Sequence, residues 1–185
     1  HDPMDRKNSP RIGCVVMAAG TEQARLLRPY DGKALLSRAL DAVPPELAGD
    51  TVVVASGEGV AELARARGFA VLPNEQPARG ISRTIRLGTQ ALSGCDGILY
   101  LVADQPRLTR ASLQKIADAW RAHPDRIAAA MCGERRGNPN LFPAKYFSEL
   151  CALEGAHGGT RVIRAHSASL LPVQLPEREL VDCDG

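Results

Sequence analysis

The chain has 185 residues, 23 basic against 21 acidic side chains for a formal charge of +2, 44% hydrophobic residues and 4% aromatic ones, an ordinary globular composition that points to one compact domain. A chain of this length buries roughly 70% of the surface its unfolded form exposes, so it needs neither a disulfide framework nor a structural metal to fold. The small, evenly interleaved charge argues against a surface built to neutralise many nucleic-acid phosphates, and no apolar run approaches the ~20 residues that cross a bilayer.

No secretory leader with an apolar core and cleavage site is read, so the expectation is a cytoplasmic protein with no nucleic-acid and no membrane partner. Cys14, Cys95, Cys132, Cys151 and Cys183 are odd in number, widely spaced and without a CxxC pair, which predicts reduced packing residues rather than a zinc site or disulfide set. Of the 23 basic residues 19 are arginine, and Lys33 is the one lysine near a candidate active-site loop. Residues 1–10 open on His-Asp-Pro-Met and carry no apolar period; they read as an expression scar ahead of a native Met4, leaving residues 11–185 as the domain.

The continuous apolar run Ile12 to Met17 followed by Ala18-Ala19-Gly20 predicts a central strand buried on both faces and ended by a small-residue turn. A polar, Arg-rich loop covers residues 21–32. Apolar residues then recur at helical spacing from Ala34 to Val43 and stop at Pro44-Pro45. Thr51 to Ala55 predicts a second buried strand, Val60 to Ala66 a short helix ended by Gly68, and Phe69 to Leu72 a third strand closed by Pro73-Asn74. Ile81 to Leu92 marks another helix, and Gly97 to Ala103 a buried strand that runs into Asp104-Gln105-Pro106. Thr109 caps a helix through Trp120, ended by His123-Pro124, and the strand Ile127 to Met131 follows. Beyond it come a loop over Gly133 to Pro139, a helix over Tyr146 to Leu153, a Gly-rich turn at Gly155, Gly158 and Gly159, and short apolar segments at Ser169 to Val173 and Leu180 to Val181. Alternating strands and helices without internal repeats predict one doubly wound α/β domain.

Ligands of such sheets bind beyond the carboxyl ends of the strands, where Ala18-Ala19-Gly20 and Asp104-Gln105-Pro106 both fall. A small-residue turn lets backbone N–H groups approach an anion, or is simply a tight connection. Arg25 and Arg28 are candidate bidentate donors to a triphosphate, or solvated surface residues. Asp104 suits a hard cation such as Mg²⁺, which takes one or two carboxylates plus substrate phosphates; as an isolated Asp-x-Pro it is equally a turn residue. Asp182 and Asp184 offer a second metal ligand or are solvated termini. Asn74, Gly80, Ser82 and Thr84 precede and open a helix and are candidates for contacts to a base or ribose, and Gly137-Asn138-Pro139 for a pocket wall; each alone also reads as a turn or cap.

Taken in order, Val-Val-Met-Ala-Ala-Gly at 15–20, Asp31-Gly32-Lys33-Ala34-Leu35-Leu36, Asn74, Gly80-Ile81-Ser82-Arg83-Thr84, Leu101-Val102-Ala103-Asp104-Gln105-Pro106, Gly137-Asn138-Pro139-Asn140-Leu141-Phe142 and Asp182-Cys183-Asp184 resemble the MobA-like nucleotidyltransferases. Within them the chain looks nearest to the molybdenum cofactor cytidylyltransferases, and the resemblance runs from Ile12 to Gly185. It implies a single Rossmann-like, three-layer domain of the nucleotide-diphospho-sugar transferase type with a mostly parallel sheet. It further implies nucleotide bound by Ala18, Ala19, Gly20, Asn74, Gly80 and Ser82, Mg²⁺ held by Asp104 and Asp184, and phosphates held by Arg25 and Lys33. Gly137, Asn138 and Pro139 are implied at the acceptor. Ala-Ala-Gly and Asp-Gln-Pro look more like the CTP-using branch than the GTP-using one. The implied reaction is attack of the molybdopterin phosphate on the α-phosphorus of CTP with release of pyrophosphate, and the implied partners are CTP, the phosphorylated pterin and a molybdoenzyme or its chaperone.

Two departures qualify that likeness. The loop after Gly20 is shorter than the family's, lacks its Arg-Met-Gly element, places Glu22 in it and puts Arg25 where the family carries lysine. The family's Gly-Asp-x-Gly-Ala-Arg appears as Gly155-Ala156-His157-Gly158-Gly159-Thr160, with Arg161 one position late. The alternative reading is therefore a catalytically impaired homologue that binds nucleotide or serves molybdoenzyme maturation, and a third is another small-molecule enzyme on the same fold.

Overall fold

A computed structural model describes residues 9–21 and 23–181. The expected scar up to residue 8, Glu22, and the late acidic pair Asp182 and Asp184 lie outside the described residues. Nine strands occur in chain order: β1 (Ile12–Ala18), β2 (Pro29–Tyr30), β3 (Lys33–Ala34), β4 (Thr51–Ala55), β5 (Ala70–Pro73), β6 (Gly97–Val102), β7 (Ile127–Cys132), β8 (Arg135–Pro143) and β9 (Leu170–Gln174). The helices are α1 (Leu35–Ala42), α2 (Glu58–Ala66), α3 (Ile81–Ala91), α4 (Arg110–Ala122), α5 (Phe147–Cys151) and α6 (Gly159–Ala165).

Seven strands form one sheet in the order β5-β4-β1-β6-β8-β7-β9. Every pairing is parallel except those of β8, which runs antiparallel to both β6 and β7. Successive side chains of a strand point to opposite faces, and both faces here are covered. Cys14, Val16 and Ala18 of β1 join Leu36, Leu40, Val60, Leu113, Ile116 and Trp120 in one cluster, while Val15 joins Ile85, Phe142, Leu150, Val162 and Ile163 in the other. The continuous apolar runs read in β1, β4 and β6 follow from this burial on two sides. The sheet is thus the middle of three layers, a Rossmann-like α/β fold. Among the described residues no helix is long and apolar enough to cross a membrane, and Cys14, Cys95, Cys132 and Cys151 are free thiols.

Three segments differ from their sequence expectation. The stretch expected as a loop over Gly133 to Pro139 belongs largely to β8, because its pairing with β7 shifts register between Ala129↔Asn140 and Met131↔Arg136. Gly137-Asn138-Pro139 falls in that bulge, where a residue without an N–H is tolerated. The Gly-rich turn opens helix α6, whose Val162 and Ile163 are buried. Finally, the Arg-rich loop contains a 3-10 turn at Gln23–Leu27 and the small β2–β3 hairpin.

Candidate active site

Strands β1 and β6 are neighbours and parallel, so their carboxyl ends open side by side. A cleft of about 460 Å³ lies there, floored by Met17 to Thr21 and Val102 to Asp104, with Gln23, Arg25 and Leu26 on one wall and Pro77, Ala78, Gly80 and Ile81 on the other. Small residues keep the floor low: a Cβ placed on Gly20 would meet nothing within 4 Å. Gly80 is required for a different reason. Its φ is +96°, and a Cβ there would stand 2.3 Å from the Gly155 carbonyl oxygen, so the backbone that opens α3 packs directly on the turn before α6.

Asp104 follows β6 and is half-buried, and the Arg25 Nη2 donates to its Oδ2 at 3.2 Å. The 3-10 turn is what carries Arg25 back over the cleft. Gln105, 2% exposed, fixes the turn beneath Asp104: its Nε2 donates to the carbonyls of Asn138 at 3.0 Å and Glu179 at 3.2 Å. Glu179 is itself buried and accepts from the Thr109 N–H (2.9 Å) and hydroxyl (2.7 Å) and from the Ser112 hydroxyl (3.0 Å). The segment leading to Asp182 and Asp184 is thereby tied to the start of α4, beside the turn that bears Asp104. Sequence reasoning passed over Gln105 and Glu179; the only signal was the Gln inside Asp-Gln-Pro.

The expected site residues are only partly brought together. Ala18, Ala19, Gly20, Gly80, Arg25 and Asp104 all line the cleft. Asn74 does not: it is 2% exposed, its Nδ2 donates to Thr84 Oγ1 at 3.0 Å, and its Oδ1 accepts from the Gln76 N–H and from Arg83 Nε. It therefore staples the end of β5 to α3. Ser82 is buried behind Gly80, its N–H donating to the Gly155 carbonyl at 3.2 Å. Lys33 lies on the hairpin, its Nζ 2.7 Å from Asp41 Oδ2; the hairpin turns it toward α1 and away from the cleft lining. Arg28 is exposed outside the cleft. Gly137, Asn138 and Pro139 sit on β8 rather than in a loop. Asn138 and Asn140 line a smaller adjoining pocket of about 120 Å³, which shares Met17, Ile81 and Val102 with the cleft. Tyr100, also on this pocket, has its phenol pKa pushed up by burial and shares a hydrogen bond with Thr89, so it stands there neutral.

The donor set fits a divalent cation in one mode. Among the described residues no group of three His, Cys, Asp or Glu side chains converges to hold an ion. A single carboxylate at a strand end, open to a cleft with room for phosphates, matches Mg²⁺, which keeps waters and takes substrate oxygens. Asp104 would hold it.

The family model for the MobA-like NTP transferase domain matches residues 14–170. No curated protein matches the chain by sequence. Among solved structures, Rv0371c from Mycobacterium tuberculosis H37Rv is 23% identical with a TM-score of 0.77, covering 96% of this chain and 94% of its own; it has also been solved in complex with manganese. A nucleotidyl transferase from Methanothermobacter is 23% identical with a TM-score of 0.73, covering 94% and 92%. A CMP:2-keto-3-deoxy-manno-octonic acid synthetase complexed with CTP is 10% identical with a TM-score of 0.68, covering 89% and 90%. At these identities the structural likenesses establish the fold. The family match, spanning β1 through the start of β9, carries more, and by it the chain belongs to the MobA-like NTP transferase family and is a nucleotidyltransferase.

Proposed function

We propose that the chain is a Mg²⁺-dependent cytidylyltransferase that transfers CMP from CTP to a phosphorylated acceptor of the molybdopterin type. The observation that carries this reading is the Arg25–Asp104 pair, in contact at 3.2 Å within a cleft floored by Ala18-Ala19-Gly20. A guanidinium donor and a hard carboxylate ligand stand together over the small-residue floor of the cleft. CTP is favoured by the Ala-Ala-Gly and Asp-Gln-Pro sequences and by the fold shared with a synthetase solved with CTP. The manganese complex of the mycobacterial neighbour supports a divalent ion.

In the proposed reaction an acceptor phosphate oxygen attacks the α-phosphorus of CTP, the bond from that phosphorus to the bridging oxygen breaks, and the electron pair leaves with pyrophosphate. The metal, when bound, neutralises charge on the phosphate oxygens. Arg25 orients the triphosphate through its fork of N–H donors. The floor at Ala18 to Gly20 allows close approach of the backbone. The Asp104 carboxylate would hold the metal, and Gln105 keeps its turn in place.

Calorimetry of CTP, GTP and ATP with and without Mg²⁺, on wild type and Asp104→Ala, tests the reading. CTP binding that needs both the metal and Asp104 is the expected result. Equal binding by Asp104→Ala removes the metal assignment, and no nucleotide binding removes the function. The second reading, binding without turnover, is favoured by the short 3-10 turn that replaces a longer phosphate loop; metal-dependent pyrophosphate release with a phosphorylated acceptor excludes it.

A further inference from the structure

The nucleotide cleft does not end at Ile81. That residue also lines the small pocket with Asn138, Asn140 and Thr160, and a further groove walled by Thr160, Arg161 and Arg164. Half-buried Arg136, on β8, reaches the same place: its Nη2 donates to Thr160 Oγ1 at 2.6 Å. Among the described residues no carboxylate stands within ion-pairing distance of Arg136, Arg161 or Arg164. Burial, and then the charge of Arg164, lower the Arg136 pKa. A partly desolvated guanidinium next to a second one, with only a hydroxyl for company, is an unfavourable arrangement that an anion relieves. Nearby, Asn140 is 5% exposed, and its Nδ2 is satisfied by Asn138 Oδ1 at 3.0 Å. Its own Oδ1 is buried without a partner, a position that accepts from a ligand N–H or O–H.

We propose that Arg136 and Arg164, with Thr160 between them, form an anion subsite for the acceptor, and that Asn140 takes a hydrogen-bond donor of the same molecule. The acceptor class is thus a small molecule bearing a phosphate or carboxylate together with an amine, amide or hydroxyl. This rests on the nucleotidyl-transfer reading above and adds the acceptor side to it. Arg136 and Arg164 are binding residues whose guanidinium planes suit either anion.

The test titrates inorganic phosphate, and separately acetate, into the ¹⁵N-labelled full chain, following the Thr160 amide and the arginine Nε–H signals. CTP binding is measured on the same samples. Phosphate is expected to move the Thr160, Arg136 and Arg164 signals, and its Kd to rise at least about tenfold in Arg136→Gln and Arg164→Gln, with CTP binding within about twofold of wild type. Acetate acting as strongly as phosphate identifies a carboxylate-bearing acceptor. Arg164 is exposed, so Arg164→Gln decides the matter even where Arg136→Gln fails to fold. Phosphate binding unchanged in Arg164→Gln, or no response at these signals in wild type, overturns the subsite. Loss of phosphate binding in the variants while wild type ignores CTP upholds the subsite and refutes the cytidylyltransferase reading instead.

Discussion

The Arg25 guanidinium stands 3.2 Å from the Asp104 carboxylate, so on the proposed reading a metal–triphosphate complex entering the cleft would give each a new partner, with the carboxylate holding the cation and the guanidinium the phosphates. The exchange costs little, because a partly exposed ion pair is worth at most about 1 kcal/mol. Hydrogen bonds between charged groups in a site are each worth roughly 1.5–3 kcal/mol, so Arg25→Gln is expected to weaken CTP binding by about tenfold to a hundredfold. Lys33→Ala is expected to stay within about twofold, since Lys33 spends its charge on Asp41 and an exposed pair of this kind contributes only a few tenths of a kcal/mol to stability. Titration calorimetry on both variants checks the contrast, and a Lys33→Ala defect equal to that of Arg25→Gln would return the lysine to the phosphates. The place of Asp104 and of the Ala18 to Gly20 turn at the cleft is legible in the sequence because strand ends are where such sheets expose ligand groups, whereas Arg25 reaches the cleft from the 3-10 turn that follows. Lys33 and Asn74 lie off the cleft lining because a two-residue hairpin and a buried amide network decide their directions, and neither leaves a periodic trace.

Elements position the cleft through a few polar joints. One is Glu179, whose carboxylate accepts three hydrogen bonds from Thr109 and Ser112 at the start of α4, while its carbonyl accepts one from Gln105. A carboxylate near a helix N-terminus also meets the positive end of the helix dipole. Glu179→Ala leaves the Ser112 and Thr109 hydroxyls without that acceptor, a loss of about 1–3 kcal/mol. The expected outcome is a lower unfolding midpoint in denaturant together with faster hydrogen exchange at Gln105 and at residues 177–181; exchange unchanged there would show that the segment is held by other contacts. The same scale explains what the sequence conveyed. The strands buried on both faces, β1, β4, β6 and β7, and the helices with an apolar stripe declared themselves. The bulged strand β8 and helix α6 did not, because Pro139 and the glycines at 155, 158 and 159 carry turn signals that tertiary pairing overrides.

Across the whole molecule, the parallel strands of the large sheet point their carboxyl ends the same way, and the cleft and the basic groove adjoin at Ile81, while ion-pair joints tie the surrounding elements together. Asp41 is one such joint: it receives Lys33 from the hairpin and Arg67 from the end of α2, and its carbonyl receives Arg110 of α4. Burial alone would raise its pKa, but the hydrogen bonds from Lys33 and Arg67 outweigh that and hold it below the usual carboxylate value of 3.8. A carboxyl depressed in the folded state contributes stability above its unfolded pKa, and the contribution disappears as pH falls through the folded one. The stability gap between wild type and Asp41→Asn, measured by urea unfolding, is therefore expected to be constant near neutrality and to close below the ordinary carboxylate range. It should stay under about 1 kcal/mol because the group is partly exposed and screened.

Ligand linkage reaches the same scale from the site. A nucleotide that binds only the folded chain adds about 2.7 kcal/mol at a hundred times its Kd, and in a domain of 150–250 residues each kcal/mol moves the unfolding midpoint by roughly 2–4 °C. CTP with Mg²⁺ is thus expected to raise the midpoint of wild type by about 5–11 °C at that excess, and removing the metal with EDTA to abolish most of the shift. In Asp104→Ala the shift should be small and indifferent to EDTA, because the carboxylate that would hold the ion is gone. A full, EDTA-resistant shift in wild type would mean that Arg25 and the Ala18 to Gly20 floor bind the triphosphate without a metal. Asp104 would then serve the nucleotide-free protein as the counter-charge of Arg25, and the metal dependence assigned to the reaction would have no basis in this cleft.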